Sequence, residues 1–288
     1  MNSNSTHSSG VVFMLAAMLC LPVVDALSKV LSAGYPAEQI TFLRNGVHAL
    51  IVLPFAVRKY GSATIVQNLG LQQCLRSLFF VGMTATYIFA LRWMPLADAL
   101  AITFAFPFVI VALSPWLLGE VAGWRRWSAV AVGFIGACFI IRPGLGEMNT
   151  GVPFAVCAAL CAAGYVLMTR KLSGSVPSLV MLLMPALIGA AMLVFVMPFV
   201  WINLTFEDTL IVLTIGAVAA LAHYFIVLSY RYGEASRIAP LTYTQIFFAT
   251  ALGYWMFGDI PDKWTVFGIA LIIASAIFIG WRESRLNK

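Results

Sequence analysis

Arg92 to Pro107 reads R-W-M-P-L-A-D-A-L-A-I-T-F-A-F-P, runs on through W-L-L-G-E at Trp116 to Glu120, and closes in an apolar stretch ending R-P-G at Arg142 to Gly144. The chain uses this pattern twice. Arg231 falls on Arg92, Thr242 and Tyr243 on Thr103 and Phe104, Trp255 on Trp116, Gly258 on Gly119, and Asp259 stands in for Glu120, at a constant offset (231 − 92 = 139). Each copy is two apolar segments joined at a short Gly-acid turn. The flanking regions repeat as well: G-V-V-F at Gly10 matches G-V-P-F at Gly151, Cys20 matches Cys161, and Leu31-Ser32 match Leu172-Ser173 (151 − 10 = 141). A duplicated unit of this kind fixes the architecture before any single residue is interpreted.

Of 288 residues, 62% are apolar and 10% charged, against roughly a quarter charged in soluble domains. Apolar runs near the ~20 residues needed to cross a bilayer recur at 10–32, 38–57, 71–91, 97–118, 125–142, 151–170, 178–201, 209–231, 237–257 and 264–281. The expected fold is therefore all-α and integral to the membrane, with ten transmembrane helices in two five-helix repeats, 10–142 and 151–281. Residues 1–9 and 282–288 are expected as cytoplasmic tails, the first disordered. An odd number of crossings per copy makes the second copy enter from the opposite face, an inverted-topology repeat that places a binding site between the halves.

The net charge of +6 does not indicate a nucleic-acid partner, because the cations sit at segment ends. Sorted by side, Arg58, Lys59, Arg76, Arg125, Arg126, Arg170, Lys171, Arg231, Arg237, Arg282, Arg285 and Lys288 fall with the N-terminus, while Lys29, Arg92, Arg142 and Lys263 fall opposite. The positive-inside bias then predicts a multi-pass protein of the cell membrane with both termini cytoplasmic. The five cysteines lie in or beside apolar segments and read as packing residues, with no metal set. No cofactor motif is present, no phosphate-binding loop suggests an ATP motor, and no TVGYG-like filter suggests a potassium channel.

Ionisable groups inside a membrane are costly and point to function. Asp25 in the first segment and Arg44 in the second lie at similar depths, roughly 10 Å and 9 Å from one face, so an Asp25–Arg44 ion pair is expected. Lys29 is one turn from Asp25 and can reach Asp25 or Glu38, making Asp25, Lys29, Glu38 and Arg44 the expected charged gate or substrate anchor, with a buried pair that only fixes helix register as the equal alternative. His48 and His223 fall near the centre, and Thr84 occupies the position equivalent to His223. Phe104 and Tyr243 are repeat partners beside Pro107 and Pro240, where broken helices free backbone groups. Two aromatic faces there suit a planar or cationic cargo, with Tyr87, Thr103 and Gln245 adding polar contacts.

These residues carry a resemblance. D-A-L-S-K at Asp25 to Lys29, F-L-R at Phe42 to Arg44, G-M-T at Gly82 to Thr84, A-P-L-T-Y at Ala239 to Tyr243 and P-D-K at Pro261 to Lys263 are similar to the EamA-type, ten-helix members of the drug/metabolite transporter superfamily. The resemblance spans nearly all of 10–281 and lies toward the subgroup that includes S-adenosylmethionine carriers. It implies a secondary carrier working by alternating access, often an exporter of amino acids or related metabolites, with S-adenosylmethionine, riboflavin or a similar aromatic or cationic metabolite as alternative cargo. A membrane-embedded enzyme or a channel is the reading of another class; no Ser/His/Asp or multi-His constellation supports an enzyme. Its partners would be a small-molecule substrate and the lipid bilayer, with proton or exchange coupling and a monomer or homodimer both open.

Overall fold

A computed structural model describes residues 3–110, 112, 124–141, 149–172, 175–232 and 239–286; parts of 97–118, all of the first Gly-acid turn and the R-P-G at 142–144 lie outside the described residues. Among the described residues the chain is all helical. The first half holds α1 (Ser3–Ser32), α2 (Ala37–Tyr60), a short α3 (Ser62–Gln67), α4 (Leu71–Leu91), α5 (Leu96–Thr103), a helical turn α6 over 106–110 and α7 (Trp124–Ile141). The second holds α8 (Gly151–Leu172), α9 (Ser178–Leu193), a one-turn α10 (Met197–Val200), α11 (Phe206–Tyr232), a 3-10 segment (Ala239–Tyr243), α12 (Thr244–Phe257) and α13 (Lys263–Leu286). Among the described residues, five helical stretches are long and apolar enough to cross a bilayer: Ser9–Ser32, Ala37–Tyr60, Leu71–Leu91, Gly151–Thr169 and Phe206–Tyr232.

Three boundaries depart from the sequence expectation, each for a local reason. α1 begins at Ser3, so residues 3–9 continue the helix in place of a disordered tail; a helix nucleated by an apolar run propagates at one bond per added residue. The expected segment 97–118 breaks at Phe104 and Ala105, because Pro107 can give no hydrogen bond to the carbonyl four residues back, that of Thr103. The expected segment 178–201 breaks at 194–196, just before Pro198. In the second half the change from 3-10 to α geometry falls between Tyr243 and Thr244, the repeat positions of Phe104 and Ala105. Both copies thus leave regular α geometry at the same place.

Helix starts are set by side chains. Asp262 Oδ1 accepts from the backbone of Trp264 at 3.0 Å and Thr265 at 2.8 Å, so the P-D-K turn is an N-cap for α13. Thr205 accepts from the Asp208 amide at 3.1 Å and donates to its carboxylate at 2.6 Å, which starts α11. Asn149 accepts from the Gly151 amide at 2.8 Å and donates to the Trp93 carbonyl at 2.7 Å, fastening the start of α8 to the end of α4.

The helices pack in definite pairs: α1 against α11 and α12, α8 against α4 and α5, α2 against α9, α5 against α12, and α7 against α13. Exchanging α1 with α8, α2 with α9, α4 with α11, α5 with α12 and α7 with α13 leaves this set unchanged. Glycines permit the closest approaches. A Cβ on Gly268 would lie 2.5 Å from the Gly136 carbonyl, and one on Gly136 would lie 2.8 Å from that of Gly268, so α7 and α13 cross backbone to backbone, as small residues allow.

Candidate functional site

Asp25 of α1 is 8% exposed and accepts a hydrogen bond from Gln245 Nε2 of α12 at 3.2 Å. This contact joins the first and ninth expected segments, one from each half. The Arg44 guanidinium of α2 and the Tyr87 hydroxyl of α4 act on the same carboxylate electrostatically. Arg44 does not come within ion-pair distance, so the expected Asp25–Arg44 pair is a charge interaction across a gap: among the described residues the direct ion pair is Lys29–Asp259. Tyr87 likewise neighbours Asp25 without a hydrogen bond of good geometry.

Buried polar atoms with no hydrogen-bond partner include Arg44 Nε, both amide atoms of Asn45, His48 Nε2, Thr84 Oγ1 and the Tyr87 hydroxyl; Arg44 and Tyr87 border Asp25, while the Asn45 amide faces Gly189 of α9. These five unpartnered residues come from α2 and α4. Residues 44, 45 and 48 share one side of α2, and 84 and 87 stand one turn apart on α4, as helical spacing requires. Each unsatisfied buried group costs ~1–3 kcal/mol, and native interiors hold few of them. Five residues on two neighbouring helices therefore offer donors and acceptors to a polar ligand. Arginine, amide, hydroxyl and phenol supply donors; Asp25 and the Asn45 oxygen supply acceptors. Such a set matches a ligand bearing both charge signs.

Aromatic rings border the polar group. The His48 and His223 rings lie 5.4 Å apart, centroid to centroid, and Phe80 meets His223 edge-on at 6.4 Å. His223 Nδ1 sits 2.8 Å from the Ala219 carbonyl; a carbonyl only accepts, so Nδ1 carries a proton, which in the neutral ring leaves Nε2 of His223 an acceptor. Phe104 and Tyr243, expected on opposite sides of a cavity, touch edge-to-face at 5.5 Å. The two helix breaks of the repeat thus abut at these rings. Thr103 is buried but donates to its own helix, at the Ala99 carbonyl, 2.8 Å away. Among the described residues no three His, Cys, Asp or Glu side chains gather to hold a metal ion.

Two partnerships escaped sequence reasoning. Lys29 pairs with Asp259 at 2.7 Å, in place of Asp25 or Glu38. Glu38 is half-buried at the start of α2 and, among the described residues, makes no ion pair. Arg76, sorted among the segment-end cations on the side of the N-terminus, is 2% exposed and donates to Thr169 Oγ1 at 2.8 Å, Gln73 Oε1 at 3.1 Å, Tyr165 Oη at 3.1 Å and the Met181 carbonyl at 3.0 Å. Asn45 carried a signal that could have found it, a polar amide inside an apolar segment beside Arg44. Gln73 aside, the partners of Arg76 and Lys29 lie 89 to 230 positions away in sequence and left no local trace.

A family model described as the EamA-like transporter family matches residues 8–142 and again 149–281. The S-adenosylmethionine uptake transporter of Rickettsia prowazekii (strain Madrid E) is 26% identical, over 97% of this chain and 95% of its own. The riboflavin transporter of Vibrio cholerae serotype O1 is 27% identical over 97% and 95%, and the pseudopaline exporter CntI of Pseudomonas aeruginosa (strain UCBPP-PA14) is 26% identical over 93% and 95%. A crystal structure of a protein with 20% sequence identity superposes with a TM-score of 0.66, covering 98% of this chain and 100% of the other. At that identity the likeness is one of fold.

Proposed function

The chain belongs to the EamA-like transporter family, and on that premise we propose that it is a secondary carrier moving an amino acid or amino-acid-like solute across the cell membrane by alternating access. It is a multi-pass membrane transporter of small molecules and not an enzyme. In the proposed mechanism the two five-helix units rock about a substrate held between them, exposing it to each face in turn. The distribution of cations supports a topology with both termini on the cytoplasmic side.

One observation carries this reading: the unpartnered buried groups of Arg44 and Tyr87 beside the Asp25–Gln245 contact, with those of His48 and Thr84 on the same two helices. A substrate carboxylate would take the donors of Arg44, Thr84 and Tyr87, and a substrate cation would face Asp25. The self-exchanging helix pairs support the two-unit arrangement, since a set of contacts unchanged on swapping halves is what a pseudo-two-fold axis produces. The broken helices at Phe104 and Tyr243 support a site at their junction, where freed backbone groups are tolerated only beside a cavity or buried protein.

A second reading has its own observation. The rings of Phe80, His48, His223, Phe104 and Tyr243 adjoin the polar set, so a substrate with a planar group beyond its charged head, such as S-adenosylmethionine or riboflavin, also fits.

Uptake of labelled S-adenosylmethionine, riboflavin and a panel of amino acids into proteoliposomes tests both. Saturable uptake with counterflow is expected for at least one solute. Asp25→Asn and Tyr87→Phe each remove an interaction with a charged group worth ~1.5–3 kcal/mol, or roughly ten- to hundredfold in affinity. Tyr243→Ala, which removes one aromatic wall, should also lower uptake. Wild-type rates in all three variants would remove the site from this place.

A further inference from the structure

Lys29 and Asp259 come from different matched units and meet at 2.7 Å, their side chains 16% and 24% exposed. The Lys29 ammonium also lies 4.6 Å from the centroid of the Phe257 ring, between a carboxylate and an aromatic face. Asp259 is held there by its turn. Gly258 adopts φ +70°, its amide donates to the Tyr254 carbonyl at 3.0 Å, and the Asp259 amide folds back to the Gly253 carbonyl at 3.1 Å. The glycine of the Gly-acid turn is thus required by a left-handed backbone, and the acid that follows is aimed at α1.

Helix α1 carries one partner of both this pair and the Asp25–Gln245 contact, and the other partners lie on α12 and on the turn that ends it. Neighbouring ties close the same end of the bundle. Gln39 of α2 donates to the Ile202 carbonyl at 2.7 Å and accepts from its amide at 2.9 Å, and Tyr35 donates to Asp208 at 2.7 Å. These neighbours use neutral donors, whereas Lys29–Asp259 joins opposite full charges across the two units. At the repeat offsets, Arg170 corresponds to Lys29 (29 + 141) and Glu120 to Asp259 (259 − 139); both side chains lie outside the described residues.

We propose that Lys29–Asp259 is an ionic latch between the two units, which closes this end of the site and must part for the site to open toward that face. The inference rests on the carrier reading of the central site. A half-buried pair between rigid helix ends biases the closed state, and any change that unpairs it shifts the population toward the open one.

The test needs no substrate. In a background with the five native cysteines replaced, Thr84→Cys serves as a reporter, and a membrane-impermeant maleimide is added from the face that carries the latch. Asp259→Asn and Lys29→Gln are expected to raise the labelling rate roughly three- to tenfold. The exchange Lys29→Asp with Asp259→Lys should return labelling to within about twofold of the paired protein, which a variant that merely unfolds would not do. Bridging Lys29→Cys and Asp259→Cys with a short reducible thiol cross-linker should suppress labelling until the bridge is cut. Labelling unchanged by either single substitution, unrestored by the exchange, or absent in every variant would overturn the latch. A labelling shift, with no uptake of any tested solute by the protein that keeps Thr84, would leave the latch standing and count against the carrier reading.

Discussion

Pro185 lies inside α9 and has no N–H, so the carbonyl four residues earlier, that of Met181, loses its helical partner. Arg76 of α4 supplies the missing donor through Nη2 at 3.0 Å. The proline and the arginine should therefore be thermodynamically coupled. Arg76→Leu strands a buried carbonyl, at ~1–3 kcal/mol, and deletes the bonds to Thr169, Tyr165 and Gln73. Relief of burying a guanidinium with no carboxylate beside it offsets part of that loss. A net destabilisation of ~2–3 kcal/mol follows, which is about 4–12 °C in melting temperature for a chain of this size. Pro185→Ala returns an N–H to Met181. It should recover ~1–2 kcal/mol more in the Arg76→Leu background than in the wild type. Thermal and denaturant unfolding of the four proteins in one detergent, followed by tryptophan fluorescence, measures the cycle. Effects of Pro185→Ala that agree in both backgrounds to within about 0.5 kcal/mol would refute the reasoning.

Gly268→Ala places a methyl 2.5 Å from the Gly136 carbonyl and 2.7 Å from Ile140; forcing α7 and α13 apart should cost ~1–3 kcal/mol, whereas Gly253→Ala, whose nearest contact would be 3.6 Å, should leave the melting temperature unchanged. Gly258→Ala meets no steric obstacle but holds a non-glycine residue at φ +70°, at ~1–2 kcal/mol, and it should also raise Thr84→Cys labelling by disturbing Asp259. Gln39→Leu removes both bonds to the Ile202 backbone and should destabilise by ~2 kcal/mol, with Gln39→Glu intermediate because it keeps the acceptor alone; equal melting temperatures for the three proteins would contradict this.

The sequence alone determined the repeat, the apolar lengths, and which polar residues interrupt them. Those properties are sums along one segment, so Asp25, Arg44, His48, Thr84, Tyr87, His223 and Gln245 could be picked out one by one. Pro107 also marked where a helix breaks, two to three residues before its ring, whereas Pro22, Pro54 and Pro185 lie inside unbroken helices. The tertiary structure decided who meets whom. Lys29 reaches Asp259 in place of Asp25, Arg76 turns inward to close a gap left by Pro185, and the Phe104 and Tyr243 rings touch instead of standing apart. The reason is rotational. Each residue turns a helix direction by about 100°, and a helix apolar on all sides carries no stripe to say which direction faces its neighbour. Only the crossings, set by glycines such as Gly136 and Gly268, fix that rotation and bring the partners into reach.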